Sequence, residues 1–98
     1  MKTIVVRYQA KRDRADENQR LIEKVFEDLE KQQPEGFTYK VFRLDDGVSF
    51  IHVVIEHDVE NPSSLQDVAA FQAFVADIGD RCDVPPVATS ATIVGGYR

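Results

Sequence analysis

Several residue types that often carry function are scarce in this chain. Its 98 residues include no tryptophan, one methionine and one cysteine, Cys82. A lone cysteine cannot form a disulfide within its own chain, and this is typical of a reducing compartment, so the sequence predicts the cytoplasm. The opening segment MKTIVVRYQ becomes polar too early for a signal peptide. No apolar run reaches the roughly 20 residues that a membrane helix needs.

Positive charge is also in short supply. The chain has 12 Lys and Arg residues and 17 Asp and Glu residues, which gives a net charge of −5. Because nucleic-acid binding depends largely on basic contacts to phosphate, this balance argues against a nucleic-acid partner. The length predicts one domain over residues 1–98. A chain this short buries only about 60–65% of its unfolded surface, which favours further burial against a second copy.

Hydrophobic periodicity predicts six elements in the order β-α-β-β-α-β. Strands are predicted where β-branched and aromatic residues cluster, at residues 3–10, 37–44, 48–56 and 87–94. A first helix starts at the candidate N-cap Asp13 and ends near Lys31. A second helix starts at Ser63 or Ser64 and ends near Gly79. This order predicts an α+β ferredoxin-like fold, a four-stranded antiparallel sheet with two helices on one face.

The third predicted strand has apolar residues on both faces. One side carries Ile51, Val53 and Ile55, and the other carries Val48, Phe50, His52 and Val54. Two helices cover only one face of a sheet, and a bare face with Phe50 and Val54 would exceed the apolar patches that monomers usually expose. The pattern therefore predicts a homodimer in which two sheets pack face to face, with His52 in that barrel interior.

Three segments of the chain resemble the antibiotic biosynthesis monooxygenase-like family: VVRYQAKRDRADENQRLIEKVF, the hairpin FTYKVFRLDDGVSFIHVVIE, and the ending PPVATSATIVGGYR. The resemblance covers essentially the whole chain in the order and spacing of elements. It implies a dimeric α+β barrel with ligands between the helices and the sheet of each subunit. The family includes cofactor-independent oxygenases of polyphenols and haem-degrading enzymes. The absence of a histidine from both predicted helices disfavours the haem-degrading activity.

His52 is the candidate catalytic residue. The ordinary pKa of a histidine, about 6.5, suits proton transfer at neutral pH. A cofactor-free oxygenase has to deprotonate a phenol or hydroquinone before oxygen can react with it, and a histidine can accept that proton. The alternative is a neutral histidine in the dimer interface, hydrogen-bonded to Tyr39, Arg43 or a backbone carbonyl.

Tyr39 and Arg43 are candidates for substrate binding because they share one face of the second predicted strand. They could orient a polar or anionic group of a ligand. The alternative for Arg43 is a surface ion pair with Asp45 or Asp46 in the turn that follows it.

Phe71 and Phe74 complete the predicted substrate site. They are expected either to wall a cavity for a flat aromatic ligand or to fill the core together with Phe26. No metal site is predicted, because His52 and His57 are five residues apart on a strand and point to opposite faces.

These features predict a cofactor-independent, monooxygenase-like enzyme that acts on an aromatic or polyketide-like compound. The alternative is a non-catalytic dimeric module that binds a small ligand or serves in assembly.

Overall fold

A computed structural model describes residues 2–57 and 64–98 of the chain. The regular elements are, in order, β1 (Lys2–Ala10), α1 (Ala15–Gln32), β2 (Phe37–Arg43), β3 (Ser49–Glu56), α2 (Ala69–Ala76), α3 (Ile78–Arg81) and β4 (Cys82–Ala91). The strands form one antiparallel sheet in the order β2-β3-β1-β4. This topology confirms the predicted α+β ferredoxin-like fold. None of the described helices is long and apolar enough to cross a membrane.

Helix α1 covers the sheet with a single buried stripe. Its buried residues recur at the three- or four-residue spacing of one helix face: Ala15, Asn18, Ile22 and Val25. The predicted N-cap Asp13 is wrong, because it lies inside a 3-10 turn, Arg12–Arg14, that precedes the helix. The N–H of Arg14 bonds to the Lys11 carbonyl at 2.9 Å and closes this turn. The helix therefore begins two residues later than Asp13.

The second predicted helix is interrupted. A 3-10 turn, Leu65–Asp67, comes first, and its N-cap Ser64 accepts a hydrogen bond from the backbone N–H of Gln66 at 3.2 Å. Buried Val68 is extended and separates this turn from α2. Asp77 then separates α2 from the single turn of α3. The alternative cap Ser63 lies outside the described residues.

Strand β4 begins earlier than predicted. It covers Cys82–Ala91, whereas the sequence placed a strand at residues 87–94 after the prolines. Pro85 and Pro86 are accommodated because β4 is an edge strand, where a missing N–H breaks no ladder on the outer side. The pairing with β1 also shifts register on both sides of Gln9, so the strands adjust locally around this segment.

The two faces of the sheet are the reverse of the prediction. Phe50, His52 and Val54 lie on the face that the helices cover, and Phe50 is only 1% exposed. On the bare face, β3 carries Ile51, Val53 and Ile55, and β2 carries Phe42, which is 50% exposed. Alternation along a strand shows which residues share a face, but it does not show which face the helices cover. The placement of His52 in a sheet-to-sheet interface is therefore wrong.

Candidate functional site

His52 lies between the sheet and the helices, with tyrosine hydroxyls on both of its ring nitrogens. Its side chain is 4% exposed. The Tyr8 hydroxyl is 2.8 Å from Nε2, and the Tyr39 hydroxyl is 2.7 Å from Nδ1. Phe74 of α2 stacks on the imidazole, with ring centroids 5.4 Å apart and planes 26° apart. A ligand would therefore exchange a proton with His52 only through one of the tyrosines.

The hydrogen bonds continue from Tyr8 into the helices. Asn18 of α1 donates from Nδ2 to the Tyr8 hydroxyl at 2.8 Å, and its Oδ1 accepts from Nε of Arg81 at 3.1 Å. Asn18 is 0% and Arg81 is 1% exposed. We call Tyr39, His52, Tyr8, Asn18 and Arg81 the buried chain. It joins β1, β2, β3, α1 and α3 into one polar network inside an apolar core.

Arg81 is a buried cation at one end of this chain. Its Nη2 donates to the carbonyl of Phe74 at 2.5 Å, and its guanidinium carbon lies 5.2 Å from the centre of the Phe74 ring. The backbone carbonyl, the amide oxygen of Asn18 and the aromatic face together replace part of the water that an exposed guanidinium would have. The cation is thereby fixed at the junction of α2, α3 and β4.

Burial opposes ionisation of the histidine and the two tyrosines of the chain. It lowers the pKa of His52 from 6.5 to about 4. It also raises the pKa of Tyr39, and it raises the pKa of Tyr8 against the opposing hydrogen bond from Asn18. Each shift follows from desolvation, which penalises the charged form of a group.

An apolar cleft of about 710 Å³ lies beside the buried chain, between the inner face of the sheet and the segment around α2. Its floor and walls are mainly apolar and include Ile4, Val6, Phe37, Val54, Leu65, Phe71 and Ala88. Its polar lining residues include Lys2, Glu56, His57, Ser64 and Gln66. This volume is within the range of about 300–1,000 Å³ that is usual for small-molecule pockets.

Tyr39 does not itself line the cleft, but it lies beside several residues that do. Its cross-strand partner Val54 lines the cleft, and so does Phe37, two residues earlier on the same face of β2. The edge of Phe71, another cleft residue, meets the Tyr39 ring at a centroid distance of 6.2 Å. Phe26 of α1 stacks on Tyr39 at 5.1 Å. Of the predicted substrate residues, Phe71 thus lines the cleft, and Tyr39 packs against Phe71.

Phe74 and Arg43 occupy other positions. Phe74 is buried against His52 and Arg81 and does not line the cleft. Arg43 donates from Nε and Nη2 to the Gly47 carbonyl, at 2.9 and 2.7 Å, and its Nη1 lies 3.1 Å from Asp16 of α1. The structure therefore places Arg43 at the hairpin turn, apart from the cleft. Its carboxylate partner is Asp16, not the turn residues proposed as the alternative.

Sequence reasoning missed Tyr8, Asn18 and Arg81. Asn18 carried a usable signal, because its position three residues after Ala15 and four before Ile22 puts an amide on the buried stripe of α1. Arg81 carried no signal, since it meets Asn18 across 63 residues of sequence. Within the described part of the chain, no group of three His, Cys, Asp or Glu side chains could hold a metal ion.

The fold and the site define a small α+β protein of ferredoxin-like topology, with an apolar cleft beside a buried tyrosine–histidine pair. Comparison with known proteins adds structural likeness only. The sequence matches no protein-family model, and no curated protein matches it significantly.

Several solved structures share this fold over nearly the whole chain. A Nitrosomonas europaea protein, named provisionally as an antibiotic biosynthesis monooxygenase, has a TM-score of 0.78 at 12% identity and covers 97% of this chain and 100% of its own. A protein named antibiotic biosynthesis monooxygenase has a TM-score of 0.70 at 15% identity, with coverages of 97% and 100%. A second N. europaea protein, of unknown function, has a TM-score of 0.74 at 11% identity, with coverages of 99% and 92%. These likenesses confirm, at the level of the fold, the resemblance drawn from the sequence.

Proposed function

We propose that this chain is a cofactor-independent, monooxygenase-like enzyme for a flat aromatic or polyketide-like compound. The observation that carries the proposal is the 2.7 Å hydrogen bond between His52 and Tyr39 beside an apolar cleft of about 710 Å³. The cleft suits a flat apolar ring, and Phe71 offers that ring an aromatic wall. Arg43 has no part in the proposal, because it is engaged at the hairpin turn.

The proposed reaction uses molecular oxygen and an ionised substrate. The phenol releases its proton to solvent, and the resulting anion, which accepts a hydrogen bond from Tyr39, passes electrons to oxygen; the released proton is recovered in the water that forms. One ring C–H becomes a carbonyl, so that a phenol and one O₂ give a quinone and one water. Tyr39, bonded to His52, faces the phenolic oxygen and governs its ionisation. The substrate itself supplies the electrons, which is why the proposal requires no cofactor.

Oxygen consumption tests this function. The protein is mixed with a panel of hydroquinones, naphthols and anthrone-like compounds, and the rate is compared with that of each compound alone. We expect Tyr39→Phe and His52→Gln to lower the enzymatic rate by about 10²–10⁴-fold, the usual contribution of an acid–base group. Tyr97→Phe is the matched control, since Tyr97 is 85% exposed. A panel on which the wild-type protein never exceeds the uncatalysed rate would refute the proposal.

A non-catalytic ligand-binding module is the second candidate. It is favoured by the burial of His52, whose two nitrogens are both occupied. Saturable binding of a panel compound, seen as quenching of tyrosine fluorescence, without oxygen consumption would favour this candidate over the enzyme.

We further propose that the chain is a homodimer through the bare face of the sheet. This face is apolar on neighbouring strands, with half-buried Val5 and Val53, Phe42 at 50% exposure and Val87 at 62%. A second copy would bury this patch, which monomers seldom expose. Light scattering should give about 22 kDa, twice the 11.1 kDa of one chain. Val53→Asp should give the monomer, and a wild-type mass of one chain at micromolar concentration would contradict the dimer.

A further inference from the structure

Each member of the buried chain donates a hydrogen bond to the next, and Arg81 determines the direction in which this donation runs. A guanidinium only donates hydrogen bonds, so the Asn18 atom that faces Nε of Arg81 has to be the amide oxygen. The amide nitrogen of Asn18 therefore faces Tyr8 and donates to its hydroxyl oxygen. Tyr8 has one proton of its own, and the remaining partner of its hydroxyl is Nε2 of His52.

This direction determines which nitrogen of His52 carries the proton. Because Tyr8 donates to Nε2, that nitrogen is unprotonated and Nδ1 bears the hydrogen. The N–H at Nδ1 then donates to the Tyr39 hydroxyl. In the opposite direction, Asn18 and His52 would both donate to Tyr8, whose own proton would be left without an acceptor at a site only 2% exposed. In the direction chosen here the proton without an acceptor is that of Tyr39, which is 9% exposed and packs against residues that line the cleft.

The direction leaves Tyr39 with a proton to donate. Its oxygen accepts from His52, and its own hydrogen has no acceptor among the described residues. Tyr39 does not itself line the cleft, but three residues beside it do: Phe37, Val54 and Phe71. Donors that are themselves acceptors of a hydrogen bond are polarised, so this hydroxyl is a stronger donor than an isolated tyrosine.

We propose that Arg81 is a positioning residue that fixes His52 in the Nδ1–H form, so that Tyr39 offers the cleft a hydrogen-bond donor for a phenolate or carbonyl oxygen. Arg81 acts from the far end of the chain, through Asn18, Tyr8 and His52, and touches no ligand. The ligand class rests on the proposed function, whereas the tautomer does not.

The tautomer can be read directly by ¹⁵N NMR of the imidazole side chains, in which protonated and unprotonated nitrogens have well-separated shifts. The chain has two histidines, and His57→Gln assigns the signals of His52. We expect the wild-type protein to show one tautomer, protonated at Nδ1. A wild-type spectrum with the proton at Nε2 would overturn the inference by itself, without any variant, ligand or turnover.

Asn18→Asp should reverse the chain. An aspartate of nearly the same shape accepts from Arg81 with one oxygen and from the Tyr8 hydroxyl with the other. Tyr8 then accepts from Nε2–H of His52, and Nδ1 accepts from Tyr39. We expect the spectrum of this variant to change to the Nε2–H tautomer. An Asn18→Asp protein that folds and keeps the proton at Nδ1 would overturn the proposed transmission through Asn18.

Arg81→Gln tests the role of the cation itself. A glutamine amide both donates and accepts, so Asn18 is free to turn over and we expect both tautomers of His52 to appear. Arg43→Gln is the matched control, since this arginine lies outside the buried chain and its loss should leave the spectrum unchanged. A single Nδ1–H tautomer in Arg81→Gln would show that Arg81 does not determine the tautomer of His52.

The ligand class is tested with 4-nitrophenol, whose absorbance reports its ionisation. Saturating wild-type protein should lower the apparent pKa of the probe, because Tyr39 donates to the phenolate. Asn18→Asp should raise it, because Tyr39 then presents a lone pair. An unchanged pKa of the probe would overturn the ligand class. Absence of oxygen consumption, by contrast, would refute the proposed enzyme and leave the tautomer standing.

Discussion

Replacing Tyr8 by phenylalanine should destabilise the protein more than replacing Tyr39 by phenylalanine, although each change removes one hydroxyl group. Tyr8→Phe strands two buried groups, the Nδ2–H of Asn18 and Nε2 of His52. Tyr39→Phe strands only Nδ1–H of His52. A buried polar group that loses its partner costs about 1–3 kcal/mol. The expected losses in unfolding free energy are therefore about 2–6 kcal/mol for Tyr8→Phe and about 1–3 kcal/mol for Tyr39→Phe.

Urea unfolding, followed by circular dichroism, measures the difference. With a slope of about 1–3 kcal/mol per molar urea, a gap of about 2 kcal/mol separates the two midpoints by roughly 1–2 M. The larger loss is a substantial part of a total stability of about 5–15 kcal/mol, so Tyr8→Phe is expected near the limit of folding at 25 °C. Tyr97→Phe, at an 85% exposed position, should leave the midpoint unchanged.

Equal midpoints for the two variants would refute the reasoning. That result would mean that the Tyr8 hydroxyl does not have two partners in the folded protein, and the path from Asn18 to His52 would be broken. A lower midpoint for Tyr39→Phe than for Tyr8→Phe would have the same consequence, with the additional implication that Tyr39 has a partner stronger than His52.

Two further predictions concern charge. Burial lowers the pKa of His52 from 6.5 to about 4, so the unfolded chain binds this proton more tightly than the folded protein. The resulting stability is complete above pH 6.5, falls by about 3 kcal/mol as the pH drops through this window, and levels off near pH 4. His52→Gln should lose this part of the pH dependence of the urea midpoint, whereas His57→Gln should keep it, and equal profiles would contradict the burial of His52 as its cause. In the hairpin turn, hydrogen bonds from the Ser49 side chain and from the backbone of Ser49 and Val48 lower the pKa of Asp46 to about 2. Asp46→Ala should therefore lower the urea midpoint at pH 7, and Asp45→Ala, in the same turn, should not. An unchanged midpoint for Asp46→Ala would mean that the hairpin closes without this carboxylate.

The topology could be predicted from the sequence because each element has its own period. The stripe of α1 repeats every three or four residues, and the strands are clusters of β-branched and aromatic residues, so order and type followed from local pattern. The errors occurred where tertiary context overrides local preference. Pro85 and Pro86 made the predicted last strand start too late, because only the sheet order shows that they lie on an edge. The second helix is broken at Val68, which is buried in an extended conformation.

The site was predictable only in part. The sequence offered a hydrogen bond between His52 and Tyr39 as one alternative, and the structure contains that bond. The covered face of the sheet could not be read, because Phe50 and Val53 are equally apolar neighbours of opposite orientation. Nor could the contact between Asn18 and Arg81, since a pairing across the whole domain leaves no mark on either local sequence.

The residue at which the buried chain ends helps to decide whether the chain only stabilises the core or also serves a ligand. A network that only secures the core is most stable when every donor meets an acceptor inside the protein. The chain that begins at Arg81 satisfies Asn18, Tyr8 and both nitrogens of His52 in this way. It then ends at Tyr39, with a hydroxyl proton beside a cleft. Under the proposed function, the oxygen of a ligand in the neighbouring cleft would be the acceptor of this proton.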